Sequence, residues 1–89
     1  RETMVIIHIE TAQAAAAVED YASIDDVDVL FIGPTDLSHS LGHPGNPDHP
    51  DVRRVMERVA GVVTASDKTL GIFAGTPAFA EEWHERGAR

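Results

Sequence analysis

The chain has 89 residues, 43% hydrophobic and 25% charged, which builds one soluble globular unit, excludes a disordered or fibrous chain, and falls far short of the roughly 250 residues of a closed (β/α)8 barrel. Fifteen acidic against seven basic residues give a net charge of -8, which repels phosphate backbones and anionic lipid and so speaks against nucleic-acid and membrane partners. The lack of cysteine removes disulfides, Cys-ligated zinc, iron–sulfur clusters and thiol nucleophiles, and with no apolar run near the ~18 residues of a membrane span and no basic-then-apolar leader, the expected setting is the cytoplasm.

Residues 4–9, Met-Val-Ile-Ile-His-Ile, are apolar and β-branched almost throughout, as in a strand buried on both faces. That strand ends at Glu10, and Thr11 can cap the Ala-rich helix expected from Ala12 to Ala22. After a turn at Asp25-Asp26, a second apolar strand spans Val27 to Ile32 and stops at Gly33-Pro34, because proline cannot donate to a ladder. From Ser38 to Pro50 runs a Pro/Gly-stiffened loop, much longer than the ~2–6 residues usual between a strand and its helix. From Asp51 onward Val52, Val55, Met56, Val59, Val62 and Val63 make an apolar stripe at helical spacing. Leu70 to Ala74 forms a third strand, and Thr76-Pro77 opens a last helix on which Phe79 and Trp83 pack against the sheet. Strands alternating with helices favour a parallel sheet, since parallel neighbours need helical crossovers. The sequence opens at Arg1 and stops at Gly87-Ala88-Arg89 with no closing element after the last helical pattern, which reads as a fragment of one domain covering 1–89.

In parallel α/β architectures ligands bind at the carboxyl ends of the strands. Glu10 ends the first strand and Asp36 lies just beyond the second, so neighbouring strands would set the two carboxylates about one strand spacing, ~4.8 Å, apart. Two carboxylates suit Mg²⁺ or Mn²⁺, hard ions that take oxygen ligands and keep part of their hydration. The competing reading makes both residues ordinary helix caps. Gly33-Pro34-Thr35-Asp36-Leu37-Ser38 also offers backbone N–H groups that can bind a carboxylate or phosphate, against the plainer reading of a tight turn. Alternation puts Met4, Ile6, His8 and Glu10 on one strand face, with His8 a layer beneath Glu10, either orienting that carboxylate or simply packed inside. His39 and His43 sit four apart, with Asp48 and His49 following. A zinc site there is the rival metal reading, against which Gly42 and Pro44 interrupt any continuous helix and no third ligand has a fixed spacing.

The stretches I-E-T at Ile9–Thr11, F-I-G-P-T-D-L-S at Phe31–Ser38, L-G-H-P-G-N-P-D-H-P at Leu41–Pro50 and G-I-F-A-G-T-P at Gly71–Pro77 together resemble the HpcH/HpaI aldolase family, over nearly the whole chain. These are class II, divalent-metal pyruvate aldolases acting on 2-keto-3-deoxy sugar acids and related 4-hydroxy-2-keto acids. The resemblance implies an α/β fold, a partial TIM (β/α)8 barrel of three consecutive βα units corresponding to the fifth to seventh. It assigns the metal, Mg²⁺ or else Mn²⁺ or Co²⁺, to Glu10 and Asp36. It gives the pyruvate carboxylate to the turn formed by Gly33, Pro34, Thr35 and Asp36, and places Phe73 in the aldehyde-side wall, where relatives often carry a smaller aliphatic residue. The proton-transfer histidine and enolate-stabilising arginine of the family belong to earlier strands. No catalytic residue is therefore expected within this segment, which alone is expected to be inactive. The substrates implied are a keto acid, pyruvate, and an aldehyde, and the assembly a homo-oligomer. Two other functions compete: a CoA-thioester lyase of the citrate-lyase-β-like branch, and a non-catalytic partial barrel serving as an interaction module.

Overall fold

A computed structural model of the chain describes residues 3–89. The elements follow in the order β1 Ile6–Ile9, α1 Ala12–Ala16, α2 Val18–Ala22, β2 Val29–Ile32, α3 Pro34–Ser40, α4 Pro50–Thr64, β3 Thr69–Ile72 and α5 Pro77–Glu85. The strands form one parallel sheet in the order β1-β2-β3, with Ile9 paired to Ile32 and Ile32 to Ile72 at their carboxyl ends. The strand–helix alternation therefore yields the parallel sheet that helical crossovers favour.

Several boundaries differ from the sequence expectation. The strands are four residues each, although hydrogen bonding continues past them where Val5 accepts from Asp28 and Phe73 donates to Ile32. The Ala-rich helix divides at Ala17, whose φ of -96° and ψ of 12° end α1 and start α2. Nothing in the local sequence explains that break, but it leaves Ala15 and Val18 both in the core. The supposed turn after β2 is instead the helix α3. Pro34 occupies its first turn, where the missing N–H costs no hydrogen bond, so the long loop begins only at Leu41. At the other end, Ala88 forms a parallel bridge with Leu70 and Arg89 N–H donates to the Leu70 carbonyl at 2.9 Å. The segment after α5 thus returns to the free edge of β3, where the sequence had suggested no further element.

The sheet is covered on one face only. Ile9, Leu30, Ile32 and Leu70 pack beneath Val18, Leu37, Val52, Met56, Val59, Val63 and Trp83, all essentially without solvent exposure. The opposite face carries Ile6, His8, Val29, Phe31 and Gly71, and here the expectation of strands buried on both sides fails: Ile6 is 45% exposed and Phe73, just beyond β3, 65%. The physical reason is that every described helix lies on the other side. A β-carbon at Gly71 would meet the Phe31 ring at 2.6 Å, so glycine there lets the phenyl lie flat across the open face.

Candidate metal and carboxylate site

The corner after β1 and the start of α3 are drawn together by two hydrogen bonds. Gly33 N–H donates to the Ile9 carbonyl at 3.2 Å, extending the β1–β2 ladder by one rung, and Ala12 N–H donates to Ser40 Oγ at 2.8 Å. Glu10 and Asp36 are thereby brought side by side at a concavity that both line. Hydrogen bonding to the Asp36 side chain is the first cause of a Glu10 pKa above its ordinary value; burial and the Asp36 charge add to it, while His8 opposes it.

His8 Nδ1 lies 3.1 Å from Glu10 Oε1, and its ring tilts against Phe31 with centroids 5.5 Å apart. The histidine side chain is 58% exposed and in contact with Glu10 among the described residues. An ionised carboxylate only accepts, which calls for the proton on Nδ1. Gly33 is required by space: a β-carbon there would stand 2.8 Å from Glu10 Cγ and 3.2 Å from its Cδ, pushing the carboxylate off Asp36.

The helix-cap alternative fails for both acids. Thr11, not Glu10, caps α1, accepting from Ala14 N–H at 3.0 Å, and α3 has Gly33 at its N-cap with no side-chain cap bond. Along α3 the first intrahelical donor toward Gly33 is Leu37 N–H at 2.9 Å, so the N–H groups of Thr35 and Asp36 have no intrahelical acceptor. Glu10, Asp36, Gly33, Pro34, Thr35, His8, Phe31 and Phe73 line a concavity of about 320 Å³.

Phe73 also borders a second cavity of about 160 Å³, with Pro34, Thr35, Pro47, Asp48, Gly75, Thr76 and Phe79. Sequence reasoning assigned Phe79 to packing alone; its ring is 6.0 Å from that of Trp83 but also lines this cavity, one turn after the Thr76 cap of α5. His39 and His43 do not form a site as a helical pair. His39 lies in the last turn of α3, while His43 lies beyond Leu41 and joins His49 and Asp51 instead. Asp51 was read only as a helix start, although its place two residues from His49 was a usable signal.

The raised Glu10 pKa makes a testable statement about the chain free of divalent ions. The folded state holds a proton more tightly than the unfolded state, so this contribution is fully present below the ordinary glutamate range and is lost as pH rises through the raised value. Urea midpoints measured with chelator should therefore fall as pH rises above about 4.5, and Glu10→Gln should flatten that slope. An unchanged slope in the variant would mean that Glu10 and Asp36 do not interact.

Comparison with known proteins adds three findings. The family described as HpcH/HpaI aldolase/citrate lyase matches residues 1–89. A 2-dehydro-3,6-dideoxy-6-sulfogluconate aldolase from Pseudomonas putida is 42% identical over 82 residues, 92% of this chain and 32% of that protein, and a 2-keto-3-deoxy-L-rhamnonate aldolase from Klebsiella pneumoniae is 39% identical over 87 residues, 98% and 33%. A crystal structure of a HpcH/HpaI aldolase/citrate lyase family protein from Burkholderia cenocepacia superposes with a TM-score of 0.95 at 42% identity, covering 99% of this chain and 34% of that one. The chain spans about a third of the length of the curated relatives it matches.

Proposed function

The chain belongs to the HpcH/HpaI aldolase/citrate lyase family, and from that premise we propose that it supplies the metal and pyruvate-carboxylate subsites of a class II aldolase. Its three parallel βα units, which we take as the fifth to seventh of a (β/α)8 barrel, form a single domain segment over 1–89. The reaction is cleavage of a 2-keto-3-deoxy or 4-hydroxy-2-keto acid to pyruvate and an aldehyde. What carries this reading is the convergence of Glu10 and Asp36 at the carboxyl ends of adjacent parallel strands, with a glycine making room and neither acid serving as a cap.

The donor set fits the implied ion. Two carboxylates side by side would hold Mg²⁺, Mn²⁺ or Co²⁺, all suited to oxygen ligands. When bound, such a cation supplies Lewis-acid stabilisation of the enolate charge that develops as the C–C bond breaks. The chain's own residues do the rest of the work at this corner. Glu10 and Asp36 hold the ion, His8 orients Glu10, and the Thr35 and Asp36 N–H groups receive the substrate carboxylate. Phe31 and Phe73 screen the concavity from water, and Phe73 narrows the aldehyde side. The arginines of α4 are engaged elsewhere: Arg53 pairs with Asp48 and Glu82, Arg54 with Asp51, and Arg58 with Glu19. Arg86, following α5, pairs with Glu57 and Glu82. Proton transfer and the enolate-stabilising cationic side chain are therefore assigned to other strands of the barrel. A homo-oligomeric cytoplasmic enzyme, as the family resemblance implies, completes the reading; among the described residues no helix is long and apolar enough to cross a membrane.

The test is retro-aldol release of pyruvate from 4-hydroxy-2-keto and 2-keto-3-deoxy acids by a complete barrel carrying this segment. Release should disappear with chelator and return with Mg²⁺, Mn²⁺ or Co²⁺. Cleavage of a hydroxyacyl-CoA in its place would favour the thioester branch, and no lyase activity at all would favour an interaction module. The aldolase names of the curated relatives support the first outcome.

A further inference from the structure

Three ligand-type side chains meet outside the Glu10–Asp36 corner, in the segment joining α3 to α4. His43 lies in the turn after α3, His49 is the N-cap of α4, and Asp51 sits in its first turn. His43 Nε2 is 3.1 Å and His49 Nδ1 3.8 Å from Asp51 Oδ2, and one ligand atom from each residue lies within 4.8 Å of the others. An ion held tetrahedrally by bonds of ~2.0–2.1 Å needs ligand atoms about 3.4 Å apart, so the two measured edges bracket that requirement. We propose that His43, His49 and Asp51 form a second cation site, for a borderline transition ion such as Zn²⁺.

The donor chemistry separates it from the first site. Two imidazoles with one carboxylate suit Zn²⁺ and its first-row neighbours, whereas Mg²⁺ prefers an all-oxygen shell. The segment is also held in place before any ion arrives. His43 N–H donates to the Ser38 carbonyl at 2.8 Å, Asn46 N–H to the His43 carbonyl at 3.1 Å, and His49 N–H to the Asn46 carbonyl at 3.2 Å. Gly42 and Gly45 have φ of 85° and 70°, a region that only glycine enters without strain. Arg54 takes Asp51 Oδ1, which leaves Oδ2 directed to the imidazoles. The side chains of His43, His49 and Asp51 are 27%, 32% and 52% exposed, so water can complete the coordination shell.

Loading has a definite structural consequence. His49 Nδ1 accepts from Asp51 N–H at 3.1 Å, and its single lone pair cannot serve both that cap and an ion. The two rings also stack at 3.5 Å with planes 12° apart, and each must turn until the ion lies near its plane. The ion thus replaces a cap and a stack with a clamp between the connecting segment and α4. Pro47 and Asp48 ride on that segment and line the cavity beside Phe73, so the clamp would fix one wall of that cavity. None of this depends on the aldolase reading.

The experiment is calorimetric titration of Zn²⁺ into the chain carrying Glu10→Gln and Asp36→Asn, which silences the first site. One Zn²⁺ should bind, with excess Mg²⁺ failing to displace it. Adding His43→Ala, a side chain that caps nothing, should weaken binding at least tenfold with helical circular dichroism unchanged, and His49→Ala should weaken it as much while also removing the α4 cap. Co²⁺ used as a paramagnetic probe should broaden the imidazole proton resonances of His43 and His49 and leave those of His39 and His84 sharp. Undiminished Zn²⁺ affinity in His43→Ala, or broadening centred on another histidine, would overturn the site.

Discussion

Asp36→Asn is expected to weaken divalent-cation binding by well over ~10²-fold, since loss of a mere supporting partner of a ligand already costs 10–100-fold, and to abolish aldol cleavage in the complete barrel. Its fold should survive. Asn keeps the shape of the side chain, and α3 has no side-chain cap to lose. The charge favourable to the first turn of α3 disappears, worth about 0.3–1 kcal/mol at an exposed terminus. Against this, the repulsion with Glu10 disappears too, and the new amide can donate to the Glu10 carboxylate. A thermal midpoint equal to or above that of the parent, combined with lost metal binding, is the signature of a ligand. A helix cap would give the reverse: lowered stability with unchanged metal affinity and turnover. Metal titration and a melt on the same sample separate the two.

How much of this corner was legible in the sequence depends on the scale of the signal. The three strands announced themselves because parallel strands carry continuous β-branched runs, and the parallel order followed from the alternation with helices. The nearness of Glu10 to Asp36 was legible because Glu10 directly follows β1 and Asp36 lies in the first turn after β2, its paired neighbour. Less legible was α3, where Pro34 was read as a strand stop although it equally fits the first turn of a helix. The break at Ala17 was invisible, since an unbroken Ala-rich run contains no Gly or Pro to mark it. The open sheet face was legible from the fragment reading: a three-strand piece of a barrel leaves barrel-facing side chains such as Ile6 and Phe73 in water. Phe79 and Asp51 illustrate the harder case. Each satisfies a local role, packing for one and helix initiation for the other, and only the three-dimensional return of the chain gives it a second one.

Trp83→Ala should be the most destabilising single change in the chain, at about 3–5 kcal/mol. Trp83 is fully buried, its ring 6.0 Å from Phe79, with the Arg86 and Arg53 guanidinium groups 5.1 and 6.0 Å from its centroid. Those arginines belong to the ion pairs that tie α5 to α4, Arg53 with Glu82 and Arg86 with Glu57, so the indole organises the whole contact. At the usual ~0.05–0.15 kcal/mol per residue, 89 residues correspond to a stability of roughly 4–13 kcal/mol. The substitution therefore removes a large share of it. Trp83→Phe behaves differently, because Trp83 Nε1 is buried with no hydrogen-bond partner among the described residues. Replacing it with a phenyl leaves a smaller cavity and removes an unpaired donor whose burial costs about 1–3 kcal/mol, so the two terms offset. Since Trp83 is the only tryptophan, the comparison is made by far-ultraviolet circular dichroism in urea rather than by fluorescence. Near-parental stability in Trp83→Phe beside a collapsed midpoint in Trp83→Ala is the expected pair. Equal losses in both would mean that the indole N–H is satisfied in solution. The functional consequence lies on the β3–α5 side, where Phe73, Gly75, Thr76 and Phe79 wall the smaller cavity. Loosening α5 should blur aldehyde-side selectivity while leaving cation binding at Glu10 and Asp36, across the sheet on β1 and α3, largely intact.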